Sequence, residues 1–187
     1  MKKRKLLWSV ICLAMLTLAG CGGGGDSTDG SSDGGGSADG DKTLVVGMAS
    51  DLKTLDPHHG YEVYGNMVYY AMYDYLYRPY ESSTPEPSLA ESHEMDDSQK
   101  VHTFKIKEGV KFSSGNDLTS KDVKFSVMRT KNLKSNTTHH TENVESVETP
   151  DDYTVKFTLK EPDAAFLSKL ANNSFAIVDS EVVKEHG

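Results

Sequence analysis

Cysteine is nearly absent. The 187-residue chain has two, Cys12 and Cys21, and none after residue 21. That excludes a disulfide framework for the bulk of the chain. Basic residues are outnumbered, with 20 Lys and Arg against 28 Asp and Glu, giving a net charge of −8. An acidic surface repels nucleic acid and anionic lipid alike, and no basic aromatic stripe offsets it. Catalytic signatures are also missing: there is no nucleophile-elbow glycine pattern, phosphate loop or zinc motif. The acid pairs Asp96–Asp97 and Asp151–Asp152 stand in turn-like stretches, where acids are common. The chain therefore reads as a non-enzyme with no cofactor and no nucleic-acid partner. Long apolar runs are limited to one, residues 6–18, broken only by Ser9 and Thr17.

That run follows Lys2, Lys3, Arg4 and Lys5 and precedes Leu18-Ala19-Gly20-Cys21. It is too short to span a bilayer comfortably, and small residues come directly after it, so residues 1–20 read as an export leader. The tetrapeptide is similar to the bacterial lipobox, in which the leader is cut just before a lipid-bearing cysteine. Small residues let the backbone enter a protease site, and the Cys21 thiol takes up the diacylglyceryl unit. Acyl chains gain roughly 0.8 kcal/mol per buried methylene, so a multiply acylated Cys21 would hold a domain at the membrane. The leader carries +4 and no acid, so the remainder carries −12. Residues 22–41 are Gly, Ser, Asp and little else, a tether with nothing apolar to bury. Its twenty residues would reach about 25 Å.

The folded part begins at Lys42. Residues 43–49 (TLVVGMA) read as a buried strand, closed off by Leu55-Asp56-Pro57 because Pro57 disfavours helix at Asp56. A helix is predicted over residues 61–77. Its inward set is Tyr64, Met67, Val68, Ala71, Met72, Tyr75 and Leu76, with a second stripe of Tyr69, Tyr73 and Tyr77 that suits packing. Alternation over residues 101–107 places Phe104 and Ile106 on one face, and residues 110–112 can pair with a neighbour. Residues 113–116 are turn chemistry. Thr119 with Asp122 three residues on opens a helix that carries Val123, Val127 and Met128 inward. Residues 144–147 and 153–159 form a hairpin about the turn 149–152. A helix from Pro162 bears Phe166, Leu167 and Leu170, residues 175–178 form a short strand, and a last helix runs from Ser180 to Gly187. Hairpins mixed with helices indicate an α+β (mixed α/β) layer fold.

From Lys42 onward the chain resembles the solute-binding proteins of family 5, the receptors for dipeptides, oligopeptides and nickel. The resemblance rests on Leu55-Asp56-Pro57, Tyr73-Asp74-Tyr75-Leu76 and Pro87-Ser88-Leu89-Ala90-Glu91-Ser92. Its best stretch is Phe104-Lys105-Ile106-Lys107-Glu108-Gly109-Val110-Lys111-Phe112, followed by Gly115, Thr119 and Asp122-Val123. Pro150-Asp151-Asp152-Tyr153-Thr154-Val155 and Leu159-Lys160-Glu161-Pro162 complete it. Most of these residues identify a scaffold: Phe104, Ile106, Val110 and Phe112 as core, Gly109 and Gly115 as turn residues, Asp122 as a cap. His93 departs from the family, which commonly has Trp there.

The resemblance implies a periplasmic-binding-protein-like architecture of class II. Residues 42–187 would hold the first strand region and the small domain, with the second lobe missing, since family members are much longer. It implies a lipid-anchored receptor on the outer face of the bacterial cytoplasmic membrane, binding peptide or another small solute and working with an ABC permease and ATPase. A nickel or metal-complex receptor, and a truncated surface lipoprotein without a transport role, are the alternatives. Bound peptide would lie along Ala49, Ser50, Asp51 and Leu52 by strand addition, with Asp51 either meeting a ligand amine or serving as a turn residue. His139 and His140, in a loop that closes over the ligand, and Asn172 at the rim are further candidates. His58-His59 and His139-His140 invite a metal reading, but adjacent loop histidines are more often solvated, and a metal site wants three or four converging ligands.

Overall fold

Alternation across residues 101–106 sets the middle of the fold. The computed structural model describes residues 43–60, 62–79 and 84–186. The leader, Cys21 and the tether lie outside the described residues. Two units divide the chain, Met1–Val45 and Val46–Gly187, and every element below belongs to the second. In chain order they are α1 (Val63–Met72), β1 (Tyr77–Arg78), β2 (Glu86–Pro87), β3 (Ala90–Met95), β4 (Val101–Ile106), α2 (Ser120–Leu133), β5 (Val144–Asp151), β6 (Thr154–Leu159), α3 (Phe166–Lys169) and α4 (Ser180–His186). Single 3₁₀ turns stand at Thr138–His140 and Asn173–Phe175.

The four longer strands form one antiparallel sheet in the order β3-β4-β6-β5, and β1 and β2 pair separately. Along β4 the alternation buries His102, Phe104 and Ile106, and β6 buries Val155, Phe157 and Leu159. These side chains form the core with Val123 and Val127 of α2, Phe166 and Leu170, and Phe175. Phe104, Phe157, Phe166 and Phe175 meet edge to face in sequence, ring centroids 5.4–6.3 Å apart, a geometry aromatic quadrupoles favour. Gly109 and Gly115 take positive φ in their turns, as expected of turn glycines.

The helix after Thr119 forms as its sequence predicts, with the Asp122 carboxylate accepting the Thr119 N–H at 2.9 Å. Its partner face is polar. Asp122, Ser126 and Thr130, one turn apart, are buried and hold the chain before α4. Asp122 accepts the Ser180 N–H at 3.1 Å, Ser126 Oγ accepts the Val178 N–H at 2.9 Å, and Thr130 Oγ1 donates to the Ser174 carbonyl at 2.9 Å.

That stripe corrects one expectation. Residues 175–178 are not a strand; only Ile177 bridges to Asp74. The Phe175 and Ala176 N–H groups close the preceding turn, the Ala176 carbonyl accepts from His58, and the Val178 N–H goes to Ser126 of α2, so no ladder forms. Residues 43–49 are likewise not a buried strand. Leu44 and Val45 are 85% and 87% exposed, and no ladder takes up their amides among the described residues. A strand needs a neighbour for its N–H and C=O groups, and among the described residues no strand of either sheet supplies one.

The first helix is shorter than predicted and turned over. It stops at Met72, leaving Tyr75 and Leu76 buried beyond its end. Tyr69 points inward, whereas Tyr64, Met67, Ala71 and Met72 of the predicted inward face are exposed. Met67 is 60% exposed and Val63 80%. The hairpin of β5 and β6 is present, but β5 runs through Asp151, so the turn falls at residues 152–153.

Candidate ligand-binding rim

The loop after the first extended segment, residues 54–60, is held by side chains on every side. Tyr69 OH donates to the Thr54 carbonyl and Tyr73 OH to that of Leu55, each at 3.0 Å. Asn173 Nδ2 donates to Pro57 O at 3.2 Å and Gly60 O at 2.7 Å. Ser135 Oγ and Thr137 Oγ1 both donate to the His58 carbonyl, at 2.9 and 2.6 Å. The second tyrosine stripe thus works as packing and as donors to this loop. Only glycine fits at position 60, because a Cβ there would stand 1.9 Å from the Tyr69 hydroxyl.

A charged node fastens the loop to α2. Arg129 grips Asp56 with two parallel bonds, Nη1 to Oδ1 at 3.0 Å and Nη2 to Oδ2 at 2.7 Å, the strong bidentate geometry of this pair. Arg129 Nη1 also donates to His58 Nδ1 at 2.9 Å. A guanidinium only donates, so Nδ1 accepts and the ring proton sits on Nε2, which donates to the Ala176 carbonyl at 2.8 Å. The His58 N–H and His59 Nδ1 donate to the two Asp56 oxygens at 3.0 and 2.9 Å. Burial alone would raise the Asp56 carboxyl, but the bonds from Arg129, His59 and the His58 amide outweigh it and hold the group well below the usual carboxylate range. Burial, with the neighbouring Arg129 charge, pushes His58 down to about 4, against the pull of the Ala176 carbonyl.

The node has a pH signature. His58 binds its proton less readily folded than unfolded, so its contribution is complete above its ordinary value of 6.5 and is lost as pH falls through 4. Over that window the loss amounts to about 3 kcal/mol at most. Urea unfolding at pH 7 and pH 4 should show it as a difference between the natural chain and His58→Asn. Equal pH slopes for the two would rule out the buried neutral imidazole.

The candidate residues are placed unevenly around this loop. Ser50 and Asp51 are exposed and Leu52 is half-buried, just upstream of the anchored segment. His139 and His140 lie on the Thr138–His140 turn, rings 3.9 Å apart. His139 Nδ1 donates to the Asn136 carbonyl at 2.6 Å, and burial followed by the His139 charge lowers His140. Asn172 is a cap: its Oδ1 accepts the Ser174 N–H at 3.1 Å and the Ser174 hydroxyl at 2.9 Å. The three segments bearing these residues converge, since residues 135–137 and 173–176 both bond to residues 57–60. No hydrogen bond among the described residues joins Ser50, Asp51 or Leu52 to His139, His140 or Asn172. Among the described residues no three His, Cys, Asp or Glu side chains gather as metal ligands. The expectation that His58 is solvated is corrected: it is fully buried.

Sequence reasoning passed over Arg129, Thr137 and Asn173. A signal for Arg129 was available. It sits between Met128 and Thr130 on the border of an apolar helix face, where a cation needs a partner, and the Asp of Leu55-Asp56-Pro57 is an acid lodged beside proline.

The mixed α/β fold superposes on solved periplasmic binding proteins over about 72% of the chain. The family model for bacterial extracellular solute-binding proteins, family 5, middle region, matches residues 84–186. The chain belongs to that family. It is 36% identical over 149 residues to the probable D,D-dipeptide-binding periplasmic protein of Escherichia coli K12, covering 76% of this chain and 29% of that protein. To the glutathione-binding protein of Escherichia coli O6:K15:H31 it is 29% identical over 148 residues, 78% of this chain and 29% of the other. Among solved structures, the binding protein AgaA of A. tumefaciens R10, in complex with agropinic acid, superposes with a TM-score of 0.68. Its sequence identity is 31%, with 72% of this chain and 28% of that one covered. The chain thus spans under a third of the length of the curated relatives it matches.

Proposed function

We propose that this chain is the small-domain part of an extracytoplasmic, lipid-anchored receptor that binds peptides and hands them to an ABC permease and its ATPase, without enzymatic activity of its own. The observation that carries this reading is the likeness to a dipeptide-binding relative across 149 residues, which takes in the anchored loop. Ser50 and Asp51 lie exposed just upstream of that loop, with Leu52 half-buried, and have backbone groups to offer an extended ligand. The metal-complex alternative loses one of its candidates, because both ring nitrogens of His58 are engaged by Arg129 and Ala176. Titrating dipeptides and glutathione into a protein of the relatives' full length tests the ligand class; saturation by neither removes the peptide reading.

Residues 1–20 serve as the leader, Cys21 as the lipid-bearing residue and residues 22–41 as the tether. The support is the order of basic cluster, apolar run and Leu18-Ala19-Gly20-Cys21 in the sequence. Cells grown with labelled palmitate should yield labelled protein, and Cys21→Ser should lose all label. Label retained by Cys21→Ser would exclude lipidation at this residue.

A further inference from the structure

A pair of histidines on the sheet lies apart from the rim and is not used by it. His93 on β3 and His102 on β4 face each other, with their imidazoles nearly parallel at 7° and ring centroids 5.2 Å apart. His93 Nε2 and His102 Nδ1 are 3.0 Å apart, within hydrogen-bonding distance. His93 is also stacked on Phe104 at 4.6 Å, and His102 packs against Phe166 at 4.8 Å. Phe104 and Phe166 belong to the core, so this pair closes the core's margin.

His102 is 3% exposed, and its Nε2 is buried without a hydrogen-bond partner. One proton is shared between His102 Nδ1 and His93 Nε2, so one of these two nitrogens must be unprotonated to receive it. His102 Nε2 is shut away among aromatic rings, and His93 Nε2 is already engaged. The charged groups acting on His102 are the carboxylates of Asp96, in the turn after β3, and Asp163, before α3; with the Gln99 carbonyl they favour its charged form, but burial outweighs them. Asp163 is itself bonded to Lys169, which tempers its pull. Burial and the His102 charge disfavour protonation of His93 in turn.

The strand concerned is an edge. Among the described residues β3 has β4 on one side and no strand on the other. Its opening residues are tied to the chain after α1, with the Leu89 N–H on Tyr75 O at 3.0 Å and the Ala90 N–H on Leu76 O at 3.2 Å. Its far half carries His93, Glu94 and Met95. We propose that His93 and His102 form an acid-responsive clasp on this edge strand: one shared proton keeps His93 over Phe104, and a second proton breaks the bond, swings His93 into water and loosens the far half of β3. Released in this way, the edge presents unpaired backbone groups and part of the aromatic core.

The test uses the 187-residue chain. Amide exchange, corrected for the intrinsic pH dependence, is compared at pH 7 and pH 5 for β3 against β6. In the natural chain β3 should exchange about tenfold faster at pH 5, relative to β6. His93→Gln keeps a hydrogen-bond partner for His102 Nδ1 but does not titrate, and His93→Phe keeps the stacking; both should abolish the pH response. A response unchanged in both variants, or none in the natural chain, overturns the proposal. A measurement needing no variant is the proton NMR titration of the two rings. The clasp requires linked midpoints below the ordinary 6.5 and loss of the contact between the rings on protonation. Independent midpoints at 6.5 also overturn it.

Discussion

Replacing Arg129 with methionine is expected to lower the unfolding free energy by about 3 kcal/mol, the lower end of the cost of removing one partner from a buried ion pair. The lower end applies because the pair is not fully dry: the Arg129 and Asp56 side chains are 18% and 25% exposed. Methionine keeps most of the apolar stem, so the loss isolates the guanidinium. Two groups are stranded at once. Asp56 loses its bidentate donor and keeps only the bonds from the His58 amide and the His59 ring. His58 Nδ1 is left as an acceptor inside the protein with no donor. Asp56→Asn together with Arg129→Met should therefore cost less than the two single changes combined, with a coupling above about 1 kcal/mol. Urea unfolding of the four chains at pH 7 measures it. A loss under about 1 kcal/mol for Arg129→Met, or strict additivity, would mean that the node adds nothing beyond local packing.

How far the sequence could be read depends on whether the partners of a segment are close along the chain. The cap of α2 needs only Thr119 and Asp122, three residues apart, and was legible. The hairpin of β5 and β6 needs only its own alternation, and so was legible too. The orientation of α1 was not. Its face of Met67, Ala71 and Met72 is apolar yet exposed, while Tyr69 turns inward, its hydroxyl reaching the Thr54 carbonyl. Periodicity reports which face is apolar and cannot say where its cover lies. Residues 43–49 misled in the same way: the run has a strand's composition and lacks a strand's neighbour. The rim was half legible. The segments at 57–60, 135–137 and 173–176 are bonded together, but the residues that fasten them, Arg129, Thr137 and Asn173, make contacts more than forty residues away. Nothing local marks such contacts. Asn172 stays a rim candidate by position, and its side-chain oxygen caps its own turn.

The 187-residue chain is expected to bind peptides weakly or not at all, and to bind them when joined to a C-terminal part of the kind its relatives carry. A binding protein of hinged design buries its ligand between two walls that close on each other. Here Ser50 and Asp51 face water, and no second wall stands opposite them among the described residues. Apolar surface of the sort that another lobe would cover is also exposed: Leu55 on the loop, and Val63, Met67 and Met72 on α1. The matched relatives are more than three times the length over which this chain aligns with them, which leaves ample polypeptide for such a lobe. Uncovered, this surface favours self-association, so the short chain should also elute larger than a monomer at high concentration. Isothermal titration with a mixed library of di- to pentapeptides separates the possibilities. The extended protein should give saturable heats at micromolar affinity or better, about −8 kcal/mol, and the short chain none at the same concentrations. Within the extended protein, Asp51→Ala should weaken peptides with a free amine more than N-acetylated ones if Asp51 meets the ligand's amino group, and equally if it serves only the turn. Micromolar binding by the 187-residue chain alone would show that the site is complete without a second lobe, and the two-walled reading would fall.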